Sequence, residues 1–336
     1  MNQNPALEQR KWYKNARALD LLEKLLSNSL LAATVILIIF YTIIAWDRNF
    51  FTFENLINIL ITITVGGLLT WSMAVAMLAG NIDWSTRGIS AIASIMMGVL
   101  FMQKGWGAIP TIIGVVITCV VISLFTSLLV VNFKIPSLVA TIAVNGTYIS
   151  IAMYMCNNYQ INIRRFDMEA IFLGFRPLGI PFSVWVMFIF FGIAYVLLYH
   201  TRLGAHIYAV GANPVAARLN GVNVNGVVRF TLMWSALCVA LAGIIQTTRS
   251  GITMLYGSAG GLDPMFGAVM LGGISLFGGR GKLENMLIAI LFTTVLNNGL
   301  YMMHATTGVI TLANGLVFLI ALMMSGARDR IASIKI

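Results

Sequence analysis

Charge is scarce in this sequence. Asp, Glu, Lys and Arg make up 10% of its 336 residues, where soluble domains carry roughly 25%. That excludes an ordinary soluble enzyme and a charge-rich disordered chain. Cysteine is scarcer still: Cys119, Cys156 and Cys238 form no CxxC and cannot all pair. A disulfide scaffold is therefore excluded, and the three read as small apolar fillers. Regular polar/apolar alternation is missing, so an outer-membrane barrel is excluded as well. No ionisable relay of the kind used by proton- or sodium-driven carriers is visible within the apolar runs. The acids Glu8, Asp20, Glu23, Asp47, Glu54, Asp83, Asp167, Glu169, Asp263, Glu284 and Asp329 all fall at or beyond run ends. His200 and His206 flank a loop and His304 ends a run; all three read as solvated. There is no H-E-x-x-H and no G-x-S-x-G. Gly278-Gly279-Arg280-Gly281-Lys282 approaches a P-loop, but Leu283 stands where Ser or Thr must hold Mg²⁺. It reads as a tight turn. No catalysis, metal or cofactor is expected of this chain alone.

Apolar length is what the sequence does have. Hydrophobic residues make up 59%, gathered in ten runs near 29–46, 56–79, 88–102, 107–131, 137–155, 179–199, 227–247, 263–277, 284–303 and 306–325. At about 1.5 Å per residue, a run near 20 residues crosses a bilayer as a helix. The expectation is an all-α polytopic membrane protein of about ten transmembrane helices. The runs at 88–102 and 263–277 are short enough to be half-helices. Residues 1–28 carry Arg10, Lys11, Lys14, Arg17 and Lys24, with Leu19, Leu22 and Leu26 at helical spacing. They read as an amphipathic cytoplasmic segment on the lipid surface, rather than a secretory signal. Residues 29–325 form the membrane domain and 326–336 a cytoplasmic tail.

The net charge of +10 belongs to membrane orientation rather than to nucleic acid. With the N-terminus inside, the inside segments hold fifteen basic residues and the outside segments six: Arg48, Lys104, Arg164, Arg165, Arg176 and Arg249. The excess predicts both termini in the cytoplasm.

Three segments stand out. In Gly80-Asn81-Ile82-Asp83-Trp84-Ser85-Thr86-Arg87-Gly88, the Asn, Asp and Ser compete for backbone hydrogen bonds and favour a helix break. Such a break is tolerated in a membrane where it lines a cavity or is buried in protein; an ordinary cytoplasmic loop is the plainer reading. Asp83 and Ser85 are candidates for the solute path or its gate. The second segment is a short helix. Asn213 suits the N-cap, Pro214 the first helical position and Gly221 a left-handed C-cap. Two turns are too short to stand alone in water, so this helix needs a lipid or protein partner. Val215 and Leu219 share one face, with Arg218 beside them. The third segment opens on Gly261-Leu262-Asp263-Pro264 and closes on Gly278-Gly279-Arg280-Gly281, with glycines for close packing or a re-entrant bend. Asp263 is the third path or gate candidate.

In this order the three segments resemble the permease subunits of ribose/xylose-type bacterial ABC importers, from about residue 30 to 325. The longest match runs from Thr201-Arg202-Leu203-Gly204 to Ala209-Val210-Gly211-Ala212-Asn213-Pro214-Val215-Ala216-Ala217-Arg218-Leu219-Asn220-Gly221. Ile135-Pro136-Ser137-Leu138-Val139-Ala140-Thr141 and Asn297-Asn298-Gly299 also resemble the family's. Asn81, Trp84, Thr86 and Arg87 depart from its pattern, and Gly261 replaces a usual acid. The resemblance implies two permeases, alike or different, in the inner membrane, two cytoplasmic ATP-binding subunits and a periplasmic solute-binding protein. It makes 213–221 the coupling helix, with Asn213, Pro214, Val215, Arg218, Leu219 and Gly221 meeting the ATPase. The implied cargo is a small sugar or polyol, or a furanose of the autoinducer-2 kind. A stand-alone secondary carrier or channel, and a membrane-embedded enzyme or assembly protein, are the alternatives from other classes.

Overall fold

The computed structural model describes residues 30–45, 47, 50–163, 170–255 and 262–334, with side chains except at 170, 262–264 and 324–334. Residues 1–28, with the expected amphipathic segment, lie outside the described residues, as do Arg164, Arg165, Asp167 and Glu169.

The described residues are helical, with a single isolated antiparallel bridge between Asn162 and Ile252. In chain order the helices are α1 (Leu30–Ile44), α2 (Phe53–Leu78), α3 (Thr86–Gly98), α4 (Ala108–Val131), α5 (Ser137–Met155), α6 (Phe182–His200), α7 (Arg202–Ala212), α8 (Pro214–Leu219), α9 (Val224–Ser250), α10 (Leu262–Leu271), α11 (Glu284–Met302) and α12 (Thr307–Ile334). All ten apolar runs reappear as helices. Seven helices are long and apolar enough to cross on their own, and α1 and α12 carry shorter apolar stretches.

Two short runs resolve differently. The 88–102 run is no half-helix: a π-helical turn, Val99–Gln103, extends α3 to an 18-residue span. The 263–277 run is one. Its helix, α10, stops at Leu271, and ten residues reach only about 15 Å, half a hydrocarbon core. Residues 272–283 then form a turn with Gly273, Gly278, Gly279 and Gly281 at positive φ, which forbids continuing the helix. At the other end α12 continues to Ile334, through the stretch read as a tail.

Helices α2, α3 and α9 form the centre. Of the apolar window of α2, 83% is buried, against 28% for α4. Helix α9 packs on α2, α3 and α4, while α3 packs on α5. The rim helices show apolar rows outward, such as Ile109, Ile113, Ile117 and Val121 on α4, a surface suited to lipid.

Candidate functional site

The break between α2 and α3 sets the geometry. Helix α2 ends because Gly80 takes φ +77, a conformation that costs glycine nothing. The chain then turns back into the protein. Asp83 is 0% exposed and Ser85 1%. One carboxylate oxygen of Asp83 accepts from the Ser85 amide at 2.9 Å and from the Ser85 hydroxyl at 2.5 Å; the other accepts from Ser235 on α9 at 2.6 Å. Ser235 stands eleven residues after Val224, about 16 Å along the α9 axis at 1.5 Å per residue. Asp83 thus ends an apolar run in sequence yet lies among helices in space. Sequence periodicity carried no sign of this, because Ser235 is 152 residues away.

The neighbours of Asp83 hold the same bend. The Trp84 amide donates to Thr141 and the Gly88 amide to Asn145, both on α5. A Cβ at Gly88 would come 2.8 Å from the Asn145 carbonyl oxygen, so α3 and α5 approach at a distance only glycine permits. Trp84, a departure from the family pattern, stacks on Phe266 of α10 at 5.6 Å between ring centroids. The break and the half-helix are therefore in direct contact. Asp263 stands in the first turn of α10; its side chain lies outside the described set.

Both Asp83 and Ser85 are shielded from lipid, with the polar atoms of Asp83 engaged inside the protein. Asp83→Ala would strand the three donated hydrogen bonds. Each buried orphan costs about 1–3 kcal/mol. Asp83→Asn keeps an acceptor, and the Ser235 hydroxyl rotates to suit. In detergent, the Ala variant is expected to melt well below the Asn variant, and the Asn variant close to the parent. Equal melting of all three would show that these bonds stabilise nothing.

The short helix α8 forms as its caps dictate. Asn213 Oδ1 accepts from the Val215 and Ala216 amides, both at 3.0 Å. Gly221, at φ +79, donates its amide to the Arg218 carbonyl at 3.0 Å. Ala217 is buried, but Val215 is 68% exposed and Leu219 84%. Arg218 borders a cleft of about 450 Å³ shared with Lys134 and Val228, and Arg229 nearby donates to Asn132. The surface is apolar at two adjacent positions and basic around them.

A knot of glycines joins α8 to the break. Gly211, near the end of α7, lies on the Leu78 carbonyl: a Cβ there would run into that oxygen and come within 2.5 Å of the Gly279 amide nitrogen. The Gly279 amide donates to the Leu78 carbonyl at 2.9 Å. A Cβ at Gly278 would sit 2.7 Å from Gly80. Backbone therefore touches backbone where α2 ends, where α7 ends and in the turn after α10. Tyr208 on α7 adds a bond to the Gly281 carbonyl at 3.0 Å. Gly211 lies within the stretch that resembles the permease family, and its neighbours in sequence point to no role for it. Its clue, a glycine one residue before the end of a short helix, is weak alone.

Among the described residues, no group of three or more His, Cys, Asp or Glu could hold a metal ion. The cysteines are free and buried.

Comparisons with known proteins agree with this architecture. Residues 55–327 match the family described as "Branched-chain amino acid transport system / permease component". The ribose import permease protein RbsC of Escherichia coli (strain K12) is 32% identical over 310 residues, covering 90% of this chain and 94% of that protein. RbsC of Bacillus subtilis (strain 168) is 29% identical over 80% of this chain and 84% of its own length. The autoinducer 2 import system permease protein LsrC of Yersinia pseudotuberculosis serotype O:3 (strain YPIII) is 26% identical, covering 88% of this chain and 84% of that protein. No solved structure matches.

Proposed function

Because the chain belongs to this permease family, and is thus a multi-pass membrane component of an ABC importer, we propose that its cargo is a small sugar or polyol and that α8 is where ATP hydrolysis in separate subunits drives it. The family description names amino acids, whereas the relatives are ribose and autoinducer 2 permeases. The relatives' names favour a hydroxyl-rich solute. Partners in this reading are two cytoplasmic ATP-binding subunits, a periplasmic binding protein and a second permease, alike or different. The membrane is the bacterial inner membrane, with both termini in the cytoplasm.

One observation carries the energy-coupling part. Helix α8 is fully capped, shows two apolar side chains to solvent and is tied through Gly211 to the break. A docked ATPase would cover Val215 and Leu219, and its acidic side chains would suit Arg218 and Lys134. Movement of α8 would pass through α7 into the glycine knot, and so to Asp83, Ser85 and α10 with Asp263, which we assign to the gate. The test is uptake of D-ribose into proteoliposomes holding the intact transporter. Accumulation is expected to need ATP inside and loaded binding protein outside, and to survive a protonophore. Accumulation driven by a proton gradient without ATP would refute the reading.

Orientation follows from the fifteen-to-six distribution of basic residues. Reporter fusions at Ile336 and near Asn2 should report cytoplasm; a periplasmic signal at either end defeats the assignment.

A further inference from the structure

We infer that a polar stripe on the outer half of α2, with Arg249 of α9 facing it, is where a neutral, hydroxyl-rich solute is held on its way in. The inference rests on the sugar-importer reading and adds the contact residues.

Glu54, Asn58, Thr62 and Gly66 follow each other at four-residue intervals on α2, so they line one face. Glu54 and Asn58 are exposed, and Thr62 and Gly66 half-exposed. From Gly67 to Leu78 every α2 residue is buried. The stripe is thus an open polar face that stops at mid-helix. Arg249 is exposed, belongs to the last turn of α9 and donates to the Thr62 hydroxyl at 3.0 Å. The Thr62 hydroxyl in turn donates to the Asn58 carbonyl at 2.8 Å. No ion pair to Arg249 and no side-chain hydrogen bond from Asn58 is present among the described residues.

Depth matters next. Thr62 lies nine residues after Phe53, about 13 Å down the helix. The chain just past Arg249 is recessed too: the Met254 amide donates to Ser94 in the middle of α3, at 2.7 Å. A guanidinium at that depth cannot be turned to hydrocarbon without a large penalty, so such residues face a bundle interior or a water-filled cavity. A protein side chain docking at the outer rim would have to reach about 13 Å inward to meet it, whereas a small solute comes by diffusion.

The charges select the solute class. Glu54 stands two helical turns above Thr62, about 12 Å nearer the mouth. It repels an anion on approach, and Arg249 repels a cation below. A neutral polyol is opposed by neither. The guanidinium fork, the Asn58 amide and the Thr62 hydroxyl offer donors and acceptors that match neighbouring hydroxyls.

The intact transporter with its ATPase and binding protein provides the test, with D-ribose as probe. Arg249→Gln should lower D-ribose uptake about tenfold or more. Stimulation of ATP hydrolysis by loaded binding protein should stay near the parent level, as should melting temperature. Loss of uptake and stimulation together would make Arg249 a docking residue and overturn the inference; so would unchanged uptake. Accessibility gives an independent arm that needs no transport. Asn58→Cys should react quickly with a charged, water-soluble thiol reagent and be protected by D-ribose. Val121→Cys on the outward row of α4 should not react. Labelling at 58 as slow as at 121 would overturn the inference even if ATP-driven uptake stands. Should wild-type uptake prove independent of ATP, the importer reading fails while rapid labelling at 58 would still show a water-lined face.

Discussion

Leu219→Asp is expected to abolish solute uptake while leaving the permease folded and inserted. Leu219 is 84% exposed in the isolated chain, and surface changes of this kind usually alter stability by no more than about 0.5 kcal/mol. Against a docked ATPase the same carboxylate would be buried without a partner, a loss of about 3–5 kcal/mol where such contacts are tight. Membrane level and melting temperature should match the parent. Uptake, and the rise in ATPase rate on adding loaded binding protein, should both collapse. Gly221→Val should weaken the same helix more gently. A Cβ at 221 meets nothing within 4 Å, so only the left-handed backbone is penalised, by roughly 1–2 kcal/mol. Normal uptake by Leu219→Asp at parental membrane levels would remove α8 from the mechanism.

Gly211→Val should be the most damaging glycine substitution, and should differ from Leu219→Asp in kind. The atoms its Cβ would strike are the Leu78 carbonyl and the Gly279 amide, main chain on both sides. Flexible side chains relieve overpacking at about 1–3 kcal/mol; here no side chain can move aside, so α7 must lift from the end of α2. The expected result is a lower melting temperature together with lost uptake, even with the α8 contact residues intact. Gly146→Ala on α5 is the contrast. Nothing lies within 4 Å of its Cβ, and alanine is the better helix former by about 1 kcal/mol. Melting temperature should hold or rise. Equal melting of Gly211→Val and the parent would mean that the glycine contact does not bear on the fold.

The membrane elements were legible because each rests on a local property. A run of apolar residues long enough to span is visible without its neighbours, and so are the caps of α8, since Asn213, Pro214 and Gly221 act within their own turn. The short runs were ambiguous for a local reason too. Length alone could not separate α3, which a π-turn completes, from α10, which stops at half the bilayer. The interior of the site was not legible. The Asp83–Ser235 bond, the Trp84–Phe266 stack and the Gly211–Leu78 contact join residues more than 130 positions apart. In sequence Arg249 reads as an outside charge that bears on orientation, with no sign of its bond to Thr62, 187 positions away.

The central claim is that energy enters this chain through Val215 and Leu219. The most direct measurement places a single cysteine at 219, in an intact transporter with its buried native cysteines replaced by serine, and carries a photoactivatable thiol cross-linker. A cysteine at Leu178, 88% exposed in a segment assigned to the outside, serves as control. The account predicts a cross-link from 219 to the ATP-binding subunit and none from 178. Cross-links from 219 to lipid alone, in the presence and absence of ATP, would contradict it.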